Sequence, residues 1–185
     1  MMEEMKRTTE SKHHFNILTN DPSMTAWGWA VISPLGHVVK VGAIKTEPRS
    51  KKLRIRKGDD RLRRVSEINA VLLDVIKQYN IGFIFSESPH GSQNASAAVM
   101  IGMVAGIMQT ISDCLDIGIE WYSEADAKKC VSGKRSVGKD EMVQIISKLY
   151  NVPWKGTKWH DQGVADALAV FHVARQQSSV LKLMR

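Results

Sequence analysis

Two kinds of hydrophobic spacing divide this chain, and the change from one to the other limits the folds open to it. Up to Lys45 the apolar residues fall in three short runs, FNILTN, WGWAVIS and HVVKVGAIK, separated by the turn-forming Asp21-Pro22-Ser23 and Pro34-Leu35-Gly36. Such runs predict three strands in an antiparallel opening. From Leu62 onward the spacing becomes helical, with Leu62, Val65, Ile68, Leu72, Val75, Ile76 and Tyr79 on one face of DDRLRRVSEINAVLLDVIKQY. IGFIFSE then reads as a buried strand, residues 94–115 as a helix apolar nearly all round, and IEWYS as a short strand. Further helices are expected over 140–150 and 162–177. Strands that alternate with helices predict an α/β domain with a mixed five-stranded sheet flanked by helices.

A length of 185 residues with 43% hydrophobic and 24% charged residues suits one globular domain and excludes a disulfide miniprotein, a collagen-like chain or a disordered tail. The expected layout is a frayed segment over 1–14, a single domain over 15–178 and a tail over 179–185. Cys114 and Cys130 have no metal-ligand spacing and the start is polar, so a reducing cytoplasmic compartment is expected. Within the long uncharged stretch 91–112 the apolar run extends only over 97–108, short of the ~20 residues that span a bilayer, so no membrane partner is expected. Charge is concentrated: residues 45–64 hold ten basic and three acidic residues, and this excess equals the formal net charge of +7. A local excess of this kind predicts a polyanionic partner.

Acids at strand ends suggest what would be done to that partner. A phosphodiester resists hydroxide because it is itself anionic, and two Mg²⁺ ions held by carboxylates overcome this. Asp21 follows the first strand directly, where it serves either a turn before Pro22 or a cation. Glu87 closes IFSE and either reaches solvent or faces a site. Asp166 lies in GVADALAVF, crowded by Ala165, Leu168 and Ala169, on a helix face that should pack on the sheet or, alternatively, face water.

With these acids in place, the chain resembles the RuvC-type Holliday-junction resolvases of the RNase H-like fold. The matching segments are ILTNDPSMTAWGWAVIS, DDRLRRVSEINAVLLDVIKQYNIGFIFSES, AKKCVSGKRSVGKDEMV and VADALAV, in family order over most of residues 15–175. The resemblance implies metal-binding roles for Asp21, Glu87 and Asp166, contact of Lys139 with the DNA backbone, and a two-fold homodimer that nicks opposed strands of a four-way junction. The cofactor is expected to be Mg²⁺, two ions per site, with Mn²⁺ substituting. The heavy basic run looks like that of a phage or viral member, which would place the protein in a host cytoplasm. The alternatives are another RNase H-like nuclease acting on RNA, hybrids or branched replication DNA, and a noncatalytic DNA-binding relative.

Where the family usually has an acid or His three positions before the final Asp, this chain has Gly163. Asp161 is the nearest acid. On a continuous helix it would point about 140° away from Asp166, so it could join the catalytic acids only from the cap or loop before the helix. Either cap or ligand fits it; His160 could instead orient the attacking water.

GKRSVGKD nearly spells a phosphate loop, but Asp140 replaces the hydroxyl residue, which excludes a nucleotide site. It reads instead as backbone N–H groups plus Lys134, Arg135 and Lys139 facing a DNA phosphate. Lys51, Lys52, Arg54 and Arg56 are the matching candidates in the basic run. Gly102 and Gly106 on the apolar helix would allow close packing, one face on the sheet and another on a second subunit. Trp27 and Trp29 read as packing residues on one strand face. Trp154 and Trp159 read as loop anchors, with stacking on an unpaired base as the alternative.

Overall fold

The computed structural model describes residues 15–183; the segment expected to fray, 1–14, lies outside them, as do the last two residues of the expected tail. The sheet is built from β1 (Asn16–Asp21), β2 (Ala26–Ile32), β3 (Val38–Lys45), β4 (Ile81–Glu87) and β5 (Gly118–Tyr122). Its order is β3-β2-β1-β4-β5. β1 and β2, and β2 and β3, are antiparallel, whereas β4 runs parallel to β1 and β5 parallel to β4. The helices are α1 (Lys57–Gln78), α2 (Ala95–Leu115), α3 (Glu124–Ser132), α4 (Lys139–Leu149), α5 (Lys158–Gln177) and α6 (Ser179–Leu183). This is the mixed five-stranded sheet the hydrophobic spacing predicts.

Strand alternation splits the core in two. Ile17, Ala30, Ile32 and Phe85 face one side, where α3, α4 and α5 cover them. Leu18, Trp27, Trp29, Val31 and Ile84 face the other, against α1 and α2. Trp27 and Trp29 are thus the packing residues their alternation suggests. On the first side α5 approaches β2 very closely: a Cβ added to Gly28 would lie 1.9 Å from the carbonyl oxygen of Gly163. Gly28 is therefore demanded by backbone proximity, and at position 163 a Cβ would sit tightly, 3.2 Å from the Gly28 Cα.

Three elements depart from expectation. α3 is a full helix where no helix was expected; Ser123 accepts from the Asp126 N–H at its start and Gly133, at φ +75°, ends it. α5 begins at Lys158 rather than near 162, with Thr157 at the N-cap position and the Asp161 carboxylate accepting from the N–H groups of Lys155 and Gly156 just before it. Residues 179–183 form α6, which buries Leu181, where a tail was expected.

α2 is apolar enough and, at 21 residues, long enough to cross a membrane by length and composition alone. In the fold it packs by one face only, burying Val104, Ile107, Met108, Ile111 and Ser112. Gly102 and Gly106 look into open space.

Candidate active site

β1, β4 and β5 all end at the same edge of the sheet, because β4 and β5 run parallel to β1. Alternation then fixes which side their last residues take. Asp21 follows Ile17 and Thr19 at intervals of two, and Glu87 follows Phe85, so both acids fall on the side covered by α5. Thr19 Oγ1 donates to the carbonyl of Ala167 at 2.7 Å, which locks α5 to β1 one residue from Asp166. Asn20 and Ser86 bridge β1 and β4 beneath the acids, with Ser86 Oγ donating to Asn20 Oδ1 at 3.1 Å and Asn20 Nδ2 to the carbonyl of Phe85 at 3.3 Å.

The result is a cleft of about 360 Å³ lined by Asp21, Glu87, Glu124, Lys139 and Asp166, with His90 at its rim. Three of the sequence candidates, from two strands and a helix far apart in the chain, are thereby brought together. Lys139 Nζ stands 3.8 Å from Asp166 Oδ2. Burial, followed by repulsion from Asp166, pushes Asp21 up to about 7, although Lys139 opposes the shift. Burial, then Asp21, Glu124 and Asp166, push Glu87 up to about 9. Burial also raises Asp166, against the pull of Lys139 and Lys128. Like charges crowded in a desolvated cleft have this effect, and a cation would reverse it.

The wall beside Asp21 is braced by a residue from the basic run. Arg64 is buried; its Nη2 donates to the carbonyl of Met24 at 2.9 Å and its Nε to Thr46 Oγ1 at 2.8 Å. Thr46 Oγ1 in turn donates to the same Met24 carbonyl. Arg64 therefore holds the loop after Asp21 and does not offer its charge to DNA. Other members of the run are also occupied: Arg56 pairs with Asp59, Arg61 with Ser96, and Arg63 with Asp60 and Glu67. Lys52 and Arg54 are exposed and make no ion pair among the described residues; the side chain of Lys51 lies outside them. Lys134 and Arg135 are exposed on the turn between α3 and α4, and Lys139 opens α4 beside the acids.

Asp161 does not line the cleft. It sits inside α5, not at its cap, and its carboxylate accepts from the N–H groups of Lys155 at 3.1 Å and Gly156 at 2.8 Å. His160 Nδ1 lies 2.9 Å from the same carboxylate, so both residues serve the loop before α5. A helix that starts at Lys158 turns Asp161 well away from Asp166. Trp154 packs at the edge of the core, and Trp159 lies edge-on to His160 with Lys45 Nζ 5.9 Å from its ring centre.

Glu124 was not a sequence candidate, yet it enters the cleft. Glu87 pairs with Tyr122 in the β4–β5 register, and the N–H of Ser88 donates to the carbonyl of Tyr122 at 2.7 Å. The chain therefore delivers Glu124 beside Glu87 two residues later. Ser123-x-x-Asp126 after a strand run is a helix-start pattern that could have revealed the position.

A cation fits this donor set. The carboxylates of Asp21 and Glu87 make no hydrogen bond or ion pair among the described residues, so their oxygens are free for a hard divalent ion. The family model described as "Crossover junction endodeoxyribonuclease RuvC" matches residues 17–173. Similar curated proteins include crossover junction endodeoxyribonucleases RuvC of Ehrlichia canis, 22% identical over 84% of this chain and 92% of that protein, and of Ehrlichia ruminantium strain Gardel, 26% identical over 85% and 96%. Among solved structures, Thermus thermophilus RuvC in complex with a Holliday junction substrate superposes with a TM-score of 0.65 at 18% identity, covering 86% of this chain and 92% of that one. The yeast mitochondrial Holliday junction resolvase Ydc2 gives 0.62 at 11% identity, covering 99% and 88%.

Proposed function

Because this chain belongs to the RuvC family of crossover junction endodeoxyribonucleases, we propose that it resolves four-way DNA junctions by paired nicking, with Mg²⁺ as its cofactor. The observation that carries the reading is the convergence of Asp21, Glu87 and Asp166 in one cleft, where Lys139 stands beside Asp166 but the carboxylates of Asp21 and Glu87 have no ion-pair partner among the described residues. Two divalent ions bound there supply Lewis-acid activation of water and charge neutralisation at the leaving oxygen.

The remaining work falls to the chain itself. Asp21 and Glu87 are held rigidly where cations would bind, because each stands at the end of a strand locked to its neighbour by Asn20 and Ser86. Asp166 is held by a helix bonded to β1 through Thr19. Lys139, close to Asp166 but largely exposed, can meet a phosphate oxygen while keeping Asp166 charged. Lys52, Arg54, Lys134 and Arg135 add backbone contacts that position the junction.

Paired nicking requires two sites, and the partner for the open side of α2 is a second copy of this chain. α1 and α2 leave a groove of about 430 Å³ lined mainly by apolar residues, among them Leu73, Met103, Ile107 and Leu115. Asn69 Oδ1 lies buried there without a hydrogen-bond partner. The test is to incubate the protein and Mg²⁺ with labelled four-way junction, duplex, flap, hybrid and RNA substrates, and to map the cuts. Symmetric nicks confined to the junction are expected. Preferential cutting of hybrid or RNA, or no cutting in Mg²⁺ or Mn²⁺, would overturn the reading.

A further inference from the structure

The acids on β1, β4 and α5 leave one wall of the cleft to account for. α5 cannot supply a second carboxylate next to Asp166: Gly163, one turn earlier, is pressed against Gly28, and Asp161 is spent on the loop at 155–156. On the opposite wall, Glu124 at the start of α3 and His90 in the loop after β4 approach Glu87, and one donor atom from each of the three lies within 4.8 Å of the others. Deeper in the cleft, the desolvated carboxylate of Asp21 has no hydrogen bond or ion pair among the described residues, although Lys139 and Lys128 act on it at longer range.

We infer that Glu124 and His90, together with Glu87, form a cation position of mixed oxygen and nitrogen donors, next to the all-carboxylate position of Asp21, Glu87 and Asp166. The inference rests on the two-cation reading above and states which residues complete it. Its geometry follows from the fold. The β4–β5 register and the Ser88–Tyr122 bond place the start of α3 against the end of β4, and Pro89 leads from Glu87 to His90 within the same loop. A shared Glu87 would bridge the two positions, as a carboxylate with two oxygens can.

Two physical consequences separate this arrangement from a surface cluster of acids. An imidazole donor favours softer divalent ions, so His90 should raise preference for Mn²⁺ over Mg²⁺ at this position only. In addition, Glu124 is bonded to Lys128, a pair that competes with a cation for the same carboxylate. Removing the lysine should therefore tighten binding, the reverse of what loss of a structural ion pair would do.

The experiment is titration calorimetry of the full chain with Mn²⁺ and separately with Mg²⁺, together with electron paramagnetic resonance of bound Mn²⁺, without DNA. Wild type should bind two Mn²⁺ per chain. Glu124→Gln should lose the weaker of the two or weaken it by more than ~100-fold, beyond the ~10–100-fold that loss of an outer contact costs. Glu124→Asp keeps the charge but shortens the reach, and should behave like Glu124→Gln. His90→Ala should weaken Mn²⁺ more than Mg²⁺, and Lys128→Met should strengthen both. If the Glu124 and His90 variants, with melting temperatures like wild type, keep both Mn²⁺ ions at unchanged affinity, the inference is overturned while the two-cation reading stands. If wild type binds fewer than two Mn²⁺, the two-cation reading fails and takes the inference with it.

Discussion

α2 and α5 are of nearly equal length, 21 and 20 residues, and α2 is the more apolar in sequence, yet α5 buries twelve residues and α2 five. The difference lies in what covers them. α5 lies across β1, β2 and β4 and is itself roofed by α3 and α4, whereas α2 shares its side of the sheet with α1 alone. An apolar helix is therefore not by itself a core helix; the number of layers around it decides. The side of the sheet with three helices also spends its polar groups internally, as Asp161 does on the loop at 155–156 and Tyr150 on His172. The α1–α2 side leaves an apolar groove, an unpartnered amide oxygen and free cations. The closed side carries the acids into the cleft, and the open side keeps the unfilled apolar groove.

The strongest challenge to this contrast is to neutralise the charges that the closed side carries into the cleft. Asp21→Asn, Glu87→Gln and Asp166→Asn should each reduce junction cleavage in Mg²⁺ by ~10³-fold or more, since several kcal/mol of charge stabilisation is removed. Junction binding, read by gel shift in Ca²⁺ or EDTA, should stay unchanged or tighten. A folded variant that cuts near the wild-type rate would remove its residue from the site.

Glycines provide a second comparison, this time of packing. Gly28→Ala would drive a Cβ into the Gly163 carbonyl, for which no side chain can move aside, so a loss of about 3 kcal/mol is expected in denaturant unfolding. Gly106→Ala on α2 meets nothing within 4 Å and should gain up to about 1 kcal/mol from helix propensity. Sedimentation of the same Gly106→Ala protein sharpens the point: weakened self-association despite a more stable chain would show that the open face is occupied by a second copy. Equal stability losses at the two glycines would erase the distinction between the helices.

The raised carboxyls make the closed side sensitive to pH. Asp21 moves from an ordinary value of 3.8 to about 7, and Glu87 from 4.5 to about 9. A carboxyl that holds its proton more tightly in the folded state stabilises the fold fully below its unfolded value and loses that contribution as pH rises through the folded one. Without divalent ions, the melting temperature should therefore fall as pH rises toward about 7 and continue to fall toward about 9. Saturating Mg²⁺ should restore it at the alkaline end, because the cation binds the folded, ionised cleft. Asp21→Asn should flatten the decline, and a flat wild-type profile in EDTA would show that the cleft is not charge-strained.

Most of the fold was legible because its signals are local. Strand runs that end in acid, such as FNILTN before Asp21 and IFSE, announce both the element and the acid that closes it. Glu124 was hidden because its place depends on the register of β4 with β5 and on a helix whose sequence, EADAKKCVS, has almost no apolar stripe. Arg64 was counted with a basic patch although it continues the buried stripe of Ile68, Leu72 and Val75 at helical spacing, so periodicity could have separated it. Asp161 was ambiguous because a difference of four residues in where α5 begins decides whether it can face Asp166.

The smallest expected effect tests the basic run on the open side. Ten basic residues over 45–64 suggest a broad electrostatic surface, but several of them are engaged with other protein groups and Arg64 is buried. Each phosphate neutralised contributes about 0.9 to the slope of log affinity against log salt on duplex DNA, and a junction should follow the same direction. Only residues free to reach phosphate can contribute, so Lys52→Ala with Arg54→Ala should flatten the slope by about 1.8 at most, at ~0.9 per contact. Arg63→Ala should change it little, since Asp60, Glu67 and the carbonyl of Glu47 already hold that guanidinium. Arg64→Met should leave the slope alone and lower cleavage through the loop after Asp21, because its charge braces protein and not DNA. A slope that responds to Arg64 as strongly as to Lys52 and Arg54 would mean that the run acts as one surface, and the division between braced and free cations would have to be abandoned.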